Sequence, residues 1–406
     1  MFGNHMRMQL VLPLLLAISA CTVSPEDPLY HEKHSGGHAA LVQSEVQSEA
    51  EPEITADYEN EDSVHESDLW SISNPYETVD WERFGRYKAN FHTHTTVSDG
   101  VMNPHTAVDR YHELGYDILA ITDHDVVTYP WTAFSALQPS TLSINRLVAG
   151  NRLMPADFSF QDRDPEAFGM TAIEGNEYSR HHHTGGYFSG IGGSSSLDET
   201  LQELAADGGI AMLFHPGRYT PPLRWYVDLY MRYEHLFGIE VYNQGDRYPG
   251  DRIWWDRVLS ETMPERPVWG YSNDDMHTAA HLGFNWNIIL LPSLTPDHVR
   301  DAMMQGTSWF VYAPRGHKGA SPPSITRVNT DEREGTISLS AKQYESVSWL
   351  TNGEVVGEEL HLAFDTLPAH AGYIRAELYG KDGTVVGTQP FGVIRLAAEN
   401  EKPLSQ

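Results

Sequence analysis

Five groups of histidine and carboxylate residues are spaced along the chain in short motifs. Phe91-His92-Thr93-His94 is followed closely by Ser98-Asp99-Gly100. Further on come Thr122-Asp123-His124-Asp125, then Glu177 with the triplet His181-His182-His183, then His215-Pro216, and last Asp275-Met276-His277. Nitrogen and oxygen donors of this kind suit divalent metal ions, zinc, manganese or iron, and the residue types do not choose among them. The only cysteine is Cys21, and one thiol makes neither a disulfide within the chain nor a cysteine-rich zinc site. Any metal must rest on His, Asp and Glu. Clustered divalent ions turn a bridging water into hydroxide near neutral pH and clamp the attacked and leaving oxygens of an in-line displacement. Phosphate ester hydrolysis is the chemistry that follows.

Such donors must be carried to one place by regular elements. Alternation along a strand turns His92 and His94 the same way, within reach of a single ion. Asn103-Pro104 opens a helix with Ala107, Tyr111 and Leu114 on one face, Gly115 ends it, and a buried strand is expected at 118–122. The grammar repeats with a helix at 197–206 and a strand at 210–214, a short strand at 238–242, a helix near 253–259 and a strand at 268–271. Thr295-Pro296 opens the last helix, before a strand at 308–312. Strands alternating with helices imply a parallel α/β core, a (β/α) barrel or a near relative. Each donor group falls at the C-terminal end of an expected strand, where such barrels place their active sites. From about Pro322 the pattern changes to alternation with hairpin signals at Asn352-Gly353 and Asp382-Gly383. A small β-sandwich is expected there, as a packing or binding accessory.

The motifs HTHTTVSDG, TDHD, GNEYS, FHP and DMH, in that order over residues 85 to 312, resemble the polymerase and histidinol phosphatase (PHP) superfamily of metal-dependent phosphoesterases. The resemblance implies a distorted (β/α)7 barrel at 81–320, a β-sandwich at 321–400 and up to three metals. The β-rich tail, with GYIRAELYG and TQPFGV, is similar to the appendage of carbaryl-hydrolase-like members. Carried over to this chain, the pattern gives the first metal His92, His94, bridging Glu177 and Asp275. The second shares Glu177 and adds His215 and His183, and the third takes Asp99, His124 and His277. Glu174 competes with Glu177 for the bridge, and Gly175 favours Glu177; His182 stays open beside His183.

Asp275, His277 and Arg218 are the expected catalytic residues. Asp275 would orient the nucleophile, and Arg218 would reach a substrate phosphate, with Arg180 a second candidate. Asp123 and Asp125 are expected either to hold neighbouring imidazoles from behind or to cap helices. The long stretch from Thr128 to Thr171 is expected to cover the substrate. Trp254 and Trp255 are read as packing residues, and His105, His112 and His281 are assigned no role. Two other functions fit the same motifs: a carboxylic ester or carbamate hydrolase on the same metals, and a non-catalytic, metal-stabilised envelope binding module.

The 406-residue chain carries Lys+Arg 27 against Asp+Glu 56, a formal net charge of -29. That balance repels phosphate backbones over most of the surface and argues against nucleic-acid binding as a general role. The expected partner is a small-molecule phosphoester. Residues 1–20 have Arg7, an apolar run at 10–18 and small residues before Cys21, the layout of a cleaved secretory signal. Ile18-Ser19-Ala20-Cys21 resembles a bacterial lipobox, which implies a lipid anchor on Cys21. Thr22 after it favours the outer membrane by resemblance to Gram-negative lipoproteins. Between residues 22 and 80 there are 15 acidic residues against Lys33. Like-charge repulsion and few apolar residues predict a solvated tether over 21–80.

Overall fold

The computed structural model describes residues 70–149 and 159–396. The leader, Cys21 and the acidic stretch up to residue 69 lie outside the described residues. The stretch expected to serve as tether overlaps the fold at its end: β1 (Trp70–Ser73) pairs with the last strand, and Tyr76 and Val79 are buried. Among the described residues no helix is long and apolar enough to cross a membrane.

The chain continues through β2 (Gly85–Asn90), α1 (Pro104–Glu113), β3 (Ile118–Ala120), α2 (Thr141–Ala149), α3 (Pro165–Phe168), β4 (Thr171–Ile173), β5 (Gly175–Tyr178) and β6 (Thr184–Tyr187). Next come α4 (Leu197–Ala206), β7 (Ile210–Leu213), α5 (Leu223–Arg232), β8 (Leu236–Asn243), α6 (Gly250–Thr262), β9 (Trp269–Asn273), β10 (Asn285–Leu291), α7 (Pro296–Gln305) and β11 (Ser308–Tyr312). The local chemistry explains the helices. In α4 the Ser196 hydroxyl accepts from the Glu199 N–H, and Leu197, Thr200, Leu201 and Leu204 form the buried face. In α7 Thr295 accepts from the His298 N–H, and left-handed Gly306 ends the helix.

Strand β2 runs parallel to β3 and β3 to β4, while β7, β8 and β9 form a second parallel set. The all-parallel expectation fails at β6, antiparallel to both β5 and β7, and at β10, antiparallel to β2 and β11. The ladders of the described residues form two separate sheets here, β10-β2-β3-β4 in one and β5-β6-β7-β8-β9 in the other, so no continuous ladder runs round the core. Side-chain amides take over where β9 passes β2 and β10. Asn273 Oδ1 accepts from the Phe91 N–H at 3.0 Å, Asn90 Oδ1 from the Asp274 N–H at 2.9 Å, and Asn287 Oδ1 from the Ser272 N–H at 2.9 Å. Buried backbone donors are thereby satisfied without a ladder. Isolated bridges join the seam at both edges of the second sheet, Thr93 to Met276 after β9 and His124 to Glu177 on β5. Beneath it Phe91, Met212, Phe214, Phe237 and Tyr271 form an apolar plug.

The C-terminal part is β-rich: β12 (Ser324–Asp331), β13 (Thr336–Lys342), β14 (Ser346–Thr351), β15 (Glu354–Gly357), β16 (His361–Ala363), β17 (Tyr373–Tyr379), β18 (Val385–Thr388) and β19 (Phe391–Arg395). The Asn352-Gly353 turn has φ of 52° and 78°, as a tight hairpin between β14 and β15 requires. Strand β18 pairs with β11, so this region continues the sheet that carries β10 and β2.

Candidate metal centre

The site lies on the seam between the two sheets. The first sheet brings His92 and His94 just beyond β2, Asp99 in the following loop, and His124 beyond β3. The second brings Glu177 on β5, His183 just before β6, His215 after β7, and Asp275 and His277 after β9. All nine residues expected as metal ligands meet here, in four overlapping groups whose donor atoms lie within 4.8 Å of one another. The groups are His94, Asp99, His124 and His277; His92, Glu177 and His215; His92, His94 and Asp275; and His124, Glu177 and His183. His92, His94 and His124 therefore each join a group to which the family pattern does not assign them.

Glu177 is the centre of the cluster. Its Oε1 lies 2.6 Å from His183 Nδ1 and 3.6 Å from His215 Nε2. Its Oε2 lies 3.3 Å from His92 Nε2, 3.1 Å from His94 Nε2 and 3.1 Å from His124 Nδ1. Asp275 Oδ1 is 3.3 Å from His92 Nε2, 3.2 Å from His94 Nε2 and 3.3 Å from His277 Nδ1. Asp99 Oδ1 is 3.2 Å from His277 Nε2 and 3.6 Å from His124 Nε2.

Several of these approaches bring donor atoms close without hydrogen-bond geometry. Both ring nitrogens of His94 and His215 Nδ1 are buried without a hydrogen-bond partner. Three buried carboxylates among six imidazoles also need cations to balance them. Burial pulls the His92 pKa down, but Asp275, Glu240 and Glu177 outweigh it and raise it to about 10. Burial opposes ionisation of Glu177, yet His92 and the His183 and His215 rings beside it hold it well below the usual carboxylate range. His124, desolvated and beside His94, is lowered to about 4. Protons on His92 and His94 thus do the work that cations would do, and the donor set fits divalent metal ions.

The residues behind the donors differ from expectation. Asp123 holds no imidazole: it accepts from the Thr95 N–H at 2.7 Å and from the hydroxyls of Thr95, Ser98 and Thr128, each at 2.6 Å. It folds the loop that carries Asp99, where Gly100 passes so close that a Cβ would lie 2.5 Å from His94 O. Asp125 accepts from Ser179 N–H and hydroxyl. Glu240 on β8 performs the expected task instead. It is fully buried; Oε1 lies 2.9 Å from His92 Nδ1, and Oε2 accepts from the His215 N–H at 2.9 Å. One carboxylate thereby turns the His92 Nε2 toward the cluster and pins His215, whose φ of 30° is strained for a non-glycine residue. The signal for Glu240 was the only charge in the buried strand LFGIEVYN.

His182 is turned away from the donors, with Nε2 3.1 Å from the Tyr226 hydroxyl, while His183 faces Glu177. Glu174 is outside the cluster. Arg218 lines the cavity of about 460 Å³ over the donors, joined by Gln244, Arg247, Tyr248 and His281, none of which the sequence reading assigned a role. Arg180 is exposed and does not line it. His281 Nδ1 lies 3.0 Å from Gln244 Nε2 and accepts from the His277 N–H at 3.2 Å. No described residue of the 128–171 stretch lines the cavity. That stretch supports the Asp99 loop from outside, with the Ser143 hydroxyl donating to Gly100 O at 2.7 Å. Trp255 packs in the core, its Nε1 donating to Val268 O.

No family model matches the chain. A 56-residue segment is 41% identical to the 5'-3' exoribonuclease Rnm of Salmonella typhimurium, covering 14% of this chain and 19% of that protein. The chain thus matches about a fifth of that relative's length. Among solved structures, it is similar to a two-domain protein of Bacteroides vulgatus containing a predicted PHP-like metal-dependent phosphoesterase. The TM-score is 0.44 at 16% identity, over 78% of this chain and 96% of the other. A proposed metal-dependent phosphoesterase of Bifidobacterium adolescentis gives a TM-score of 0.32 at 16% identity, over 54% and 96% of the two chains. At these values the reading of the site rests on its own geometry.

Proposed function

We propose that the protein is a metal-dependent hydrolase of phosphate mono- or diesters and a member of the PHP superfamily. The observation that carries this reading is the pairing of the nine-donor cluster with Arg218 and Arg247 on the wall of one cavity. Among the described residues neither guanidinium has a carboxylate partner, and each lies near a tyrosine ring, Tyr219 at 5.7 Å and Tyr248 at 5.1 Å. Two cations without a carboxylate partner beside the cluster, the Arg247 guanidinium donating to Gln244 Oε1 at 2.9 Å, suit an anionic substrate better than a neutral carbon ester.

Divalent ions bound at the cluster would supply an acidified water and neutralise charge on the attacked and leaving oxygens. The chain's own residues position the rest. Glu240 fixes the His92 ring, Arg218 and Arg247 bind the non-reacting phosphate oxygens, and Asp275 orients the nucleophile. His277 is held by its Nδ1 at 2.9 Å from Asp275 O and lines the same cavity as the two arginines. The leader and Cys21 extend the proposal to a lipid-anchored enzyme of the bacterial envelope. Labelled palmitate should enter the protein and be lost with Cys21→Ser.

The activity test is a hydrolysis panel on the soluble form lacking residues 1–21, reconstituted with manganese or zinc. Phosphomonoester, phosphodiester, carboxylic ester and carbamate substrates run beside a His92→Ala variant. Metal-dependent phosphate release that vanishes in the variant is expected. Turnover of the carbon esters alone overturns the phosphoester reading, and a metal-loaded protein that cleaves nothing favours a binding module.

A further inference from the structure

The two arginines of the cavity come from different segments, and one buried residue joins those segments. Arg218 ends the short turn Pro216–Arg218 that follows His215. Arg247 and Tyr248 lie in the loop between β8 and α6. Asp251, in the first turn of α6, is fully buried, and its Oδ1 accepts from the Gly217 N–H at 2.6 Å. Its own N–H donates to Tyr248 O at 2.9 Å. Asp251 therefore bonds to the residue before Arg218 and to the residue after Arg247.

Three further observations show that this contact is built. Asp251 Oδ2 is buried without a hydrogen-bond partner, an arrangement that costs stability and that a helix-capping role alone does not require. Gly217 has no space for a side chain: a Cβ would lie 2.8 Å from both Asp251 N and Oδ1. The turn is also held from its other side, where the Tyr226 hydroxyl donates to Pro216 O at 3.3 Å. Burial holds the Asp251 pKa well above the usual carboxylate range, opposed by the Gly217 hydrogen bond.

We infer that Asp251 is a positioning residue for substrate binding: it staples the Arg218 turn to the Arg247 loop, so that both guanidiniums meet one anionic substrate with little ordering left to do. The inference rests on the phosphoester reading for its probe, inorganic phosphate. Preorganisation of this kind appears in affinity, because the cost of ordering the binding groups is met during folding.

The test is a double-mutant cycle on metal-loaded protein, with phosphate affinity read by calorimetry and metal content measured in every variant. Asp251→Ala is expected to weaken phosphate binding about fivefold, the loss of one buried hydrogen bond, at unchanged metal content. Asp251→Asn keeps an acceptor oxygen and should restore most of the affinity. In an Arg218→Ala/Arg247→Ala background Asp251→Ala should have little further effect, because neither arginine is left to position. Equal losses in both backgrounds, or a loss that follows metal content, overturn the inference and leave the phosphoester reading standing. A wild-type protein that holds metal and binds no phosphate overturns the phosphoester reading itself. Amide exchange then judges the staple independently: Gly217 should be protected in wild type and Asp251→Asn and exposed in Asp251→Ala, and equal exchange in all three rejects it.

Discussion

A histidine can offer a metal only one ring nitrogen at a time, and at His92 the other nitrogen is committed to Glu240, 2.9 Å away. The same carboxylate accepts from the Asn273 and Asn243 side-chain amides and from the His215 backbone, so its charge is fully used and its position fixed. Glu240→Gln is expected to lower metal affinity by about 10- to 100-fold while the protein still folds. Competition with a chelating indicator measures it, and unchanged affinity removes Glu240 from the site. Metal binding should also release protons, because the metal-free cluster keeps His92 protonated up to about pH 10. Apparent affinity should then rise with pH across 6 to 9, and titration in buffers of different ionisation enthalpy counts the protons. The donors were legible in the sequence because each lies in a short motif at a strand end. Glu240 was not, because a lone acid in an apolar strand announces burial without naming the imidazole it meets. Arg247 and Gln244 belong to a loop with no periodicity to place them.

The elements show where pattern reading succeeds and where pairing overrides it. Helix α4 and strand β11 begin and end where caps and apolar runs predict, since both signals are local. The direction of β6 and β10 is decided by partners far along the chain, which no local pattern records. Strand β2 carries a second consequence of pairing. Its Lys88 is drawn inward, with Nζ donating to Leu114 O at 3.1 Å and lying 4.0 Å from the Tyr116 ring centre and 4.5 Å from that of Trp286. Burial lowers its pKa to about 8, against the pull of Asp274 and Asp117. A lysine depressed in the folded state is more readily protonated in the unfolded chain, so its penalty is present in full below pH 8. That penalty is relieved as pH rises from 8 toward the unfolded value near 10.5. Lys88→Met should therefore flatten the rise in stability between pH 8 and 10, measured by urea unfolding at each pH. A parallel slope in wild type and variant assigns the pH dependence to other groups.

At the scale of the whole molecule, the C-terminal strands are bound into the part that carries the metal centre. Gln389 makes a strand-like pair with β9, the strand that leads to Asp275 and His277, accepting from the Gly270 N–H and donating to Gly270 O, each at 2.8 Å. Arg375 on β17 is 2% exposed and donates to both oxygens of Asp256 on α6, at 2.9 and 2.8 Å, and to Glu377. The Tyr373 hydroxyl adds a bond to Asp256 at 2.9 Å. The sequence marks this region as β-rich but cannot show that α6, whose first turn holds the Arg218 turn through Asp251, leans on it through Asp256. Removing Arg375 leaves Glu377 buried and Asp256 half-buried with only tyrosine hydroxyls to face them, a loss of about 3 kcal/mol. Arg375→Ala should therefore lower the urea midpoint of one cooperative transition, with loss of tryptophan fluorescence structure and release of bound metal at the same denaturant concentration. Two separated transitions, with metal retained through the first, would instead show that the C-terminal strands unfold by themselves and that the cavity does not depend on them.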